Sequence, residues 1–213
     1  MGVKNIIVLG GGGHAKVVTS VLQRDPKYNI LGFLDDDQSK KEMLGTKRLG
    51  SLLPVSDALE KSFFAIGIGH LGNTKHREKI IEEYKQKGHI MEKVIAPTAI
   101  INHEVTLGDG VVILDGVILQ PSVIIGDYSI INTKVSVDHD CHINNHVHIA
   151  PGATLSGNVM VGNRVLIGTG ASIIQGVTIE DDCIIGAGSV IIHNCDKKGG
   201  VYVGSPAELI KEK

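Results

Sequence analysis

The sequence predicts two consecutive units, a small α/β domain with a parallel sheet followed by a parallel β-helix. Three observations support this prediction. An uninterrupted six-residue repeat fills the second half of the chain, and strands alternate with helices in the first half. The 213 residues also include 27 glycines but only four Tyr, three Phe and no Trp. Because large rings are scarce, the core must be built from many stacked aliphatic side chains.

The repeat runs from Ile101 to Asp196 without an insertion. In each of 16 consecutive hexads an aliphatic residue takes the first position, and a small or β-branched residue follows four positions later. Short strands joined by tight turns and stacked about 4.8 Å apart satisfy this pattern. At three hexads per coil, the 16 hexads predict just over five coils with a triangular cross-section.

The cysteines also follow the repeat. All three, Cys141, Cys183 and Cys195, fall in the small inward position of a hexad. An odd number does not suit a disulfide framework, and the inward position predicts buried apolar groups rather than nucleophiles.

Residues 1–95 lack the hexad period and predict a nucleotide-binding α/β domain. Ile80, Ile81 and Tyr84 are expected to form the inward face of its second helix. The alternation ends near Ala96, so the predicted domains are 1–95 and 96–213. The predicted elements are strand Asn5–Leu9, helix Ala15–Leu22, strand Ile30–Leu34, strand Phe63–Ile68 and helix Asn73–Lys87.

A glycine-rich loop joins the first strand to the first helix. Its Gly10-x-Gly12-x-x-Ala15 pattern resembles the dinucleotide-binding fingerprint, in which backbone N–H groups approach phosphates. A dinucleotide fold needs a second mononucleotide-binding half, for which 95 residues leave no room, so the pattern favours one nucleotide. The alternative is a tight turn followed by a solvated acidic loop. The residues expected around the nucleotide are Gly12, Gly13, His14, Asp35 and Asp36.

Four of the ten histidines lie between positions 139 and 148. In the hexad frame Asp138, His139 and Asp140 occupy a turn outside the core. One interpretation is an ordinary polar turn, and a second is a metal site built from the clustered His and Asp residues. Hexad geometry disfavours the metal, because it spreads these side chains over different faces. A third interpretation, which fits His139 and Asp140 best, is a general base beside a carboxylate.

Composition excludes several classes of protein. The net charge of −2 gives no basic surface for nucleic acid or anionic lipid. No apolar run reaches the roughly 18 residues that a membrane span requires. The first residues predict a strand rather than a secretion signal. We therefore expect a soluble, cytoplasmic protein that neither binds nucleic acid nor inserts into a membrane.

Together these features are similar to the hexapeptide-repeat acyltransferases with a left-handed parallel β-helix. Within them, the chain resembles the nucleotide-aminosugar N-acetyltransferases and the related sialic acid O-acetyltransferases. The stretches that carry the resemblance are IIVLGGGGHAKVV, GFLDDD, AIG, SVDHDCHINNHVHIAPGATLSGNV, IGTGASI and VYVGSPAELI. Left-handedness is implied by the resemblance alone, since ordinary parallel crossovers are right-handed.

The resemblance implies a role for each matching residue. His139 stands where the family has its catalytic base, and Asp140 stands where the family has an acidic partner that is often Glu. Acetyl-CoA is the implied co-substrate, with no metal and no permanently bound cofactor. Family members are trimers that bind acetyl-CoA between adjacent β-helices. The implied acetyl-CoA contacts are His148, Gly157, Thr169 and Ala187. The implied nucleotide-sugar pocket is formed by Gly12, Gly13, His14, Asp35, Asp36 and Gly67.

The expected activity is acetyl transfer to the amine of a nucleotide-linked amino sugar used in bacterial surface glycans or glycoproteins. Family frequency favours a sugar of the UDP-4-amino-4,6-dideoxy-N-acetylglucosamine type. One alternative is O-acetylation of sialic acid or a related hydroxyl acceptor. Another is a non-catalytic structural module. An NAD-dependent oxidoreductase is disfavoured by the size of the first domain.

Overall fold

The computed structural model describes residues 2–53 and 62–212. All five elements predicted for the first half are present, with ends that differ by a few residues. The strand predicted to reach Ile68 ends at Ile66, and Gly67 then passes so close to Val8 and Ala15 that a Cβ atom would lie 2.8 Å from each side chain. The elements of this α/β domain are β1 (Lys4–Leu9), α1 (Gly13–Gln23), β2 (Tyr28–Leu34), β3 (Glu42–Met43), β4 (Thr46–Gly50), β5 (Phe63–Ile66) and α2 (Lys75–Gln86).

The sheet has the strand order β3-β4-β2-β1-β5. The predicted parallel arrangement is confirmed for β1, β2, β4 and β5, whereas β3 and β4 form an antiparallel hairpin that the sequence analysis did not predict. Alternate residues of β1 face opposite sides of the sheet. Ile6 and Val8 pack in the core that contains α1, and Ile7 and Leu9 pack in the core that contains α2.

The second half forms a parallel β-helix with three faces. The first face contains β7 (Ile100–Ile101), β10 (Ile118–Leu119), β13 (Ser136–Val137), β16 (Thr154–Leu155), β19 (Ser172–Ile173) and β22 (Val190–Ile191). The second face contains β8 (Thr106–Leu107), β11 (Ile124–Ile125), β14 (His142–Ile143), β17 (Met160–Val161) and β20 (Thr178–Ile179). The third face contains β6 (Val94–Ile95), β9 (Val112–Ile113), β12 (Ile130–Ile131), β15 (His148–Ile149), β18 (Leu166–Ile167), β21 (Ile184–Ile185), β23 (Gly200–Gly204) and β24 (Ala207–Glu212).

The register confirms the triangular cross-section. Ile118 pairs with Ser136, 18 residues and therefore three hexads further along the chain. The coils begin one hexad earlier than predicted, since β6 pairs with β9 and Ile95 packs against the core. A terminal antiparallel hairpin, β23 and β24, extends the third face and was not predicted.

The interior matches the hexad pattern. The aliphatic first positions and the smaller residues four places later form one continuous core, which includes all three cysteines as free, buried thiols. Tight turns between the strands place position four of many hexads in the left-handed region, with φ of 58° at Asp140 and 57° at His146. The turn residues before position four therefore stand outside the core at the corners of the prism.

The α/β domain packs on the third face. Val94 and Val112, whose side chains point outward from that face, join the core formed with α1. Tyr128, at the corner between the second and third faces, joins the core formed with α2. Within the described ranges, neither helix is long and apolar enough to cross a membrane.

Candidate active site

A cavity of about 820 Å³ lies between the α/β domain and the third face. It opens at the carboxyl ends of β1, β2 and β5, the usual place for a ligand in a parallel sheet. All six residues expected in the nucleotide pocket line this cavity, and His148 lines it as well. The six are Gly12, Gly13, His14, Asp35, Asp36 and Gly67.

The glycine loop presents bare backbone to the cavity. α1 begins at Gly13 with Gly12 as its N-cap, and no side chain among the described residues caps it. A Cβ atom built on Gly12 or Gly13 meets no atom within 4 Å. Unpaired N–H groups at a helix N-terminus carry partial positive charge and bind anions. The loop is therefore suited to a phosphate group.

The carboxylate of Asp35 holds the glycine loop by a hydrogen bond to its backbone. Its Oδ2 accepts a hydrogen bond of 2.6 Å from the Gly11 N–H, and its Oδ1 accepts one of 2.8 Å from the Asp37 N–H. Lys40 Nζ lies 3.1 Å from Oδ2. Burial alone would raise the pKa of Asp35, but these hydrogen bonds outweigh burial and lower it. Asp36, in contrast, is exposed at the cavity rim, and its Oδ1 accepts a hydrogen bond from the Leu52 N–H.

Two histidines, the half-buried His14 and the buried His70, line the cavity together with the buried Arg77. Burial, reinforced by His148 and Arg77, lowers the pKa values of both His14 and His70 to about 3. Both imidazoles are therefore neutral at pH 7. Arg77 is 1% exposed, and its Nε donates to the Ile68 carbonyl over 2.8 Å. The Nε2 atoms of both histidines and Nη2 of Arg77 are buried, and none has a hydrogen-bond partner among the described residues.

His148 connects the cavity to the β-helix. Its Nδ1 lies 2.8 Å from the His70 carbonyl oxygen, and its Nε2 lies 3.1 Å from Asn132 Nδ2. Asn132 precedes Thr133 at the corner between the third and first faces, which we call the third corner (132–135, 150–153, 168–171 and 186–189). Both ring nitrogens of His148 are thus engaged by groups of the same chain.

His139 lies elsewhere, on the corner between the first and second faces, which we call the first corner (120–123, 138–141, 156–159 and 174–177). Its Nδ1 is 2.7 Å from Asp140 Oδ2, and both side chains are 60% exposed. The hydrogen bond with Asp140 raises the pKa of His139, and the negative charges of Asp138 and Asp140 act in the same direction. With Nδ1 bonded to the carboxylate, Nε2 is left as the proton-accepting atom.

Gly157 packs directly against the imidazole of His139. It follows His139 by one coil of 18 residues, and a Cβ atom at this position would lie 2.6 Å from Cε1 and 2.7 Å from Nε2 of His139. Only glycine lets the ring rest on the next coil. The residue is itself buried, although it occupies an exposed corner.

Thr169 and Ala187 lie on the third corner, one coil apart and both exposed. The four residues expected to bind acetyl-CoA are therefore distributed within one chain. Gly157 shares the first corner with His139, Thr169 and Ala187 stack on the third corner, and His148 faces the cavity. His139 is not among the residues that line the cavity.

Three residues of this region escaped the sequence analysis. His70 follows β5, and the rule that ligand sites gather at the carboxyl ends of parallel strands would have found it. Arg77 lies on the same helical face as Ile81 and Tyr84, so a charge at an inward position was a signal. Asn132 carries no signal beyond its turn position. In the described ranges, no three His, Cys, Asp or Glu side chains converge as a metal site would require.

Comparisons with known proteins identify the family of the chain. Residues 5–84 match the family model for the PglD N-terminal domain, and residues 158–193 match that for the bacterial transferase hexapeptide (six repeats). The acetyltransferase domain of PglB from Neisseria gonorrhoeae is 32% identical and superposes with a TM-score of 0.89, covering 97% of this chain and 100% of that domain. The chain belongs to the hexapeptide-repeat sugar N-acetyltransferases.

Other members of this hexapeptide-repeat family support the same assignment. A histidine-to-alanine variant of GDP-perosamine N-acetyltransferase from Caulobacter crescentus, in complex with CoA and GDP-perosamine, is 31% identical. It has a TM-score of 0.87 and covers 98% of this chain and 97% of that chain. GDP-perosamine N-acetyltransferase from Escherichia coli is 28% identical over 158 residues, 72% of this chain and 70% of the relative. The PglB domain has also been solved with acetyl coenzyme A. The chain is therefore an acyltransferase, and acetyl-CoA is the co-substrate of its family.

Proposed function

We propose that this acyltransferase moves the acetyl group of acetyl-CoA to the amine of a nucleotide-linked 4-amino-6-deoxy sugar, with His139 as general base. The observation that carries the proposal is the exposed His139–Asp140 pair, whose imidazole rests on Gly157 with Nε2 free. The glycine-lined cavity supplies the complementary feature, an uncapped helix N-terminus suited to the phosphates of a nucleotide sugar. The product would serve bacterial surface glycan or glycoprotein synthesis, and we expect the enzyme in the cytoplasm.

The mechanism is direct transfer without an acyl-enzyme. The neutral sugar amine attacks the thioester carbonyl, a C–N bond forms, and His139 Nε2 accepts the proton that the attack makes acidic. Asp140 holds Nδ1–H and stabilises the imidazolium. Collapse of the intermediate breaks the C–S bond, and the CoA thiolate takes the proton back. The cysteines do not contribute, since Cys141 is 1% exposed and burial raises its pKa to about 11.

The proposed site is completed by a second copy of the chain. The cavity and the third corner lie on one side of the prism, whereas His139 projects from the first corner. We propose a homotrimer in which the third corner of one β-helix faces the first corner of its neighbour. Acetyl-CoA would then run along Thr169 and Ala187, and the partner chain would supply the base.

Two nucleotides are candidates for the carrier of the sugar. Exposed Asp36 offers a carboxylate oxygen to a ring N–H beside a carbonyl, a group that both uracil and guanine possess. A UDP-linked 4-amino-4,6-dideoxy-N-acetylglucosamine is our first candidate. GDP-perosamine is the second, because two of the relatives described above are named for it.

An acceptor panel tests the activity. The full-length protein would be incubated with acetyl-CoA and, separately, a UDP-linked 4-amino-6-deoxy sugar, GDP-perosamine, a dTDP-linked aminosugar and sialic acid. Mass spectrometry should show the gain of one acetyl group on one nucleotide aminosugar. The identity of that acceptor also shows which nucleobase the enzyme recognises. Acetylated sialic acid with unchanged aminosugars would instead establish O-acetylation, and no transfer at all by a folded protein would refute the enzyme assignment.

Complementation between two inactive variants tests whether each active site is built from two chains. A His139→Ala chain lacks the base, and a Gly12→Glu chain carries a negative side chain in the phosphate loop. Each alone should be nearly inactive, but mixed oligomers from co-expression, selected with two tags, should recover activity. His139→Ala mixed with Asp140→Ala is the matched control, because both defects lie on the same corner. Mixed oligomers that stay inactive would place the base and the cavity of one site in the same chain.

A further inference from the structure

We propose that Arg77 is a binding determinant for the diphosphate of the nucleotide sugar, to which its buried guanidinium supplies positive charge. Arg77 lies outside the glycine loop, in the first turn of α2. The inference deepens the proposed function and rests on it for the identity of the ligand.

The guanidinium of Arg77 is a buried cation without an ion-pair partner. The side chain is 1% exposed, and burial lowers its pKa only to about 10, so it is protonated at pH 7. Within residues 2–53 and 62–212, no carboxylate oxygen lies within 4 Å of it. Glu78, the next residue of α2, does not line the cavity. A buried charge without a counter-ion costs folding free energy, and fully buried arginines are rare unless they are paired.

Neutral groups surround the guanidinium. Its Nε donates to the Ile68 carbonyl over 2.8 Å, and its Nη1 lies 3.4 Å from His146 Nδ1. Because a guanidinium only donates, Nδ1 of His146 accepts, and burial lowers the pKa of that imidazole to about 4. Nη2 of Arg77 is buried and has no hydrogen-bond partner among the described residues. The protein therefore satisfies part of the hydrogen-bonding capacity of Arg77 and leaves its charge without a counter-ion.

The cavity brings this charge close to the glycine loop. Arg77 lines the cavity together with Gly12, Gly13 and His14. The electrostatic field of Arg77 extends to this loop, because it contributes to the lowered pKa of His14, the residue directly after Gly13. A field that disfavours a proton on His14 favours the negative oxygens of a phosphate at the N-terminus of α1.

The other Lys, Asp and Glu side chains of the cavity are already engaged. Lys40 Nζ lies 3.1 Å from Asp35 Oδ2, so its charge is neutralised within the protein. The carboxylates of Asp35 and Asp36 accept hydrogen bonds from backbone N–H groups. Among the Lys and Arg side chains that line the cavity in the described ranges, Arg77 is the one without an ion pair. A diphosphate bound at the glycine loop would supply the missing negative charge.

Binding measurements test this assignment and include CoA, because CoA also carries a diphosphate. Isothermal titration calorimetry would measure the Kd of UDP, GDP and CoA for the full-length protein. In Arg77→Gln the Kd of the nucleoside diphosphate should rise about tenfold, and the Kd of CoA should stay within about twofold of the wild-type value. Arg77→Lys keeps the charge and should stay within about threefold of the wild-type Kd for the nucleoside diphosphate. Lys79→Gln, which removes an exposed charge from the same helix, is the matched control and should change neither affinity.

A ligand without phosphates separates the charge of Arg77 from its contact with the Ile68 carbonyl. Uridine and guanosine are uncharged, so Arg77→Gln should leave their affinities unchanged. The ratio of the affinities for UDP and uridine, or for GDP and guanosine, should therefore fall about tenfold. If Arg77 only holds the backbone at Ile68, the nucleoside and its diphosphate would lose affinity alike, and the proposal would be overturned.

Other outcomes also contradict the proposal. Weaker CoA binding with unchanged nucleotide binding would assign the charge to the acyl donor, and an Arg77→Lys variant as weak as Arg77→Gln would exclude a role for charge. Thermal unfolding shows whether each variant is folded, and Arg77→Met replaces Arg77→Gln if the latter does not fold. A wild-type protein that binds neither UDP nor GDP would overturn the proposed nucleotide site together with this inference. Nucleotide binding that is unchanged in Arg77→Gln would overturn this inference alone.

Discussion

The two units of the chain hold their histidines in opposite surroundings. In the α/β domain, burial lowers the pKa values of His14 and His70 to about 3. On the β-helix, exposed His139 shares a hydrogen bond with Asp140, which raises its pKa. The same side chain is therefore neutral at pH 7 in one unit and more easily protonated in the other. The difference follows from position, because His14 and His70 lie between the α/β domain and the third face, whereas the His139 side chain projects from a prism corner.

The largest effect expected from this contrast is at His139. His139→Ala should lower kcat by roughly 10²–10⁴, since the proton acceptor is lost. The melting temperature should stay unchanged because the side chain is exposed. Initial rates with the acceptor identified by the panel would measure the loss. Near-normal turnover would show that the corner histidine is not the base.

A substitution at Gly157 tests whether the position of the His139 imidazole matters for turnover. Gly157→Ala places a methyl group where the His139 ring rests, so the ring must shift and kcat should fall roughly tenfold or more. The control is a double-mutant cycle. In the His139→Ala background the Gly157 substitution should cost little further, and an additive loss would show that Gly157 acts independently of the imidazole.

A substitution at Asp140 tests whether its carboxylate raises the pKa of His139. The base acts in its deprotonated form, so kcat/KM should rise with pH through the pKa of His139. Asn fits the positive φ of 58° at this position but carries no charge. In Asp140→Asn the pKa of His139 should fall and the rising limb of the pH profile should move to lower pH. A limb that does not move would mean that another group controls the profile.

The smallest effect is expected in acid stability. Burial lowers the pKa of His70 to about 3 in the folded chain, below the ordinary histidine value of 6.5. Between these values the unfolded chain binds a proton that the folded chain excludes, so stability falls as pH drops from about 6.5 towards about 3. His70→Gln should lessen the loss of melting temperature between pH 7 and pH 4.5. His103→Gln should leave the loss unchanged, and equal slopes for both variants would contradict the assignment.

The β-helix was the part most open to prediction from sequence. Its period leaves one inward position per strand, so the strands from Ile101 onward and the corner position of His139 followed directly from the repeat. The glycine loop and Asp35 followed from the strand–loop–helix pattern. The nearness of His148 to His70 did not, because it depends on how the α/β domain docks on the third face. The role of Gly157 beneath His139 became visible only with the 18-residue stacking.

The strand β6 determines how a change in the number of coils would move His139 relative to the α/β domain. It joins the α/β domain directly to the ladder of the third face, where each coil adds about 4.8 Å along the prism axis. A gain or loss of 18 residues before His139 would keep every inward position in phase and shift His139 by one coil along the prism axis relative to the cavity of the same chain. The height of the first-corner histidine therefore changes only in whole coils.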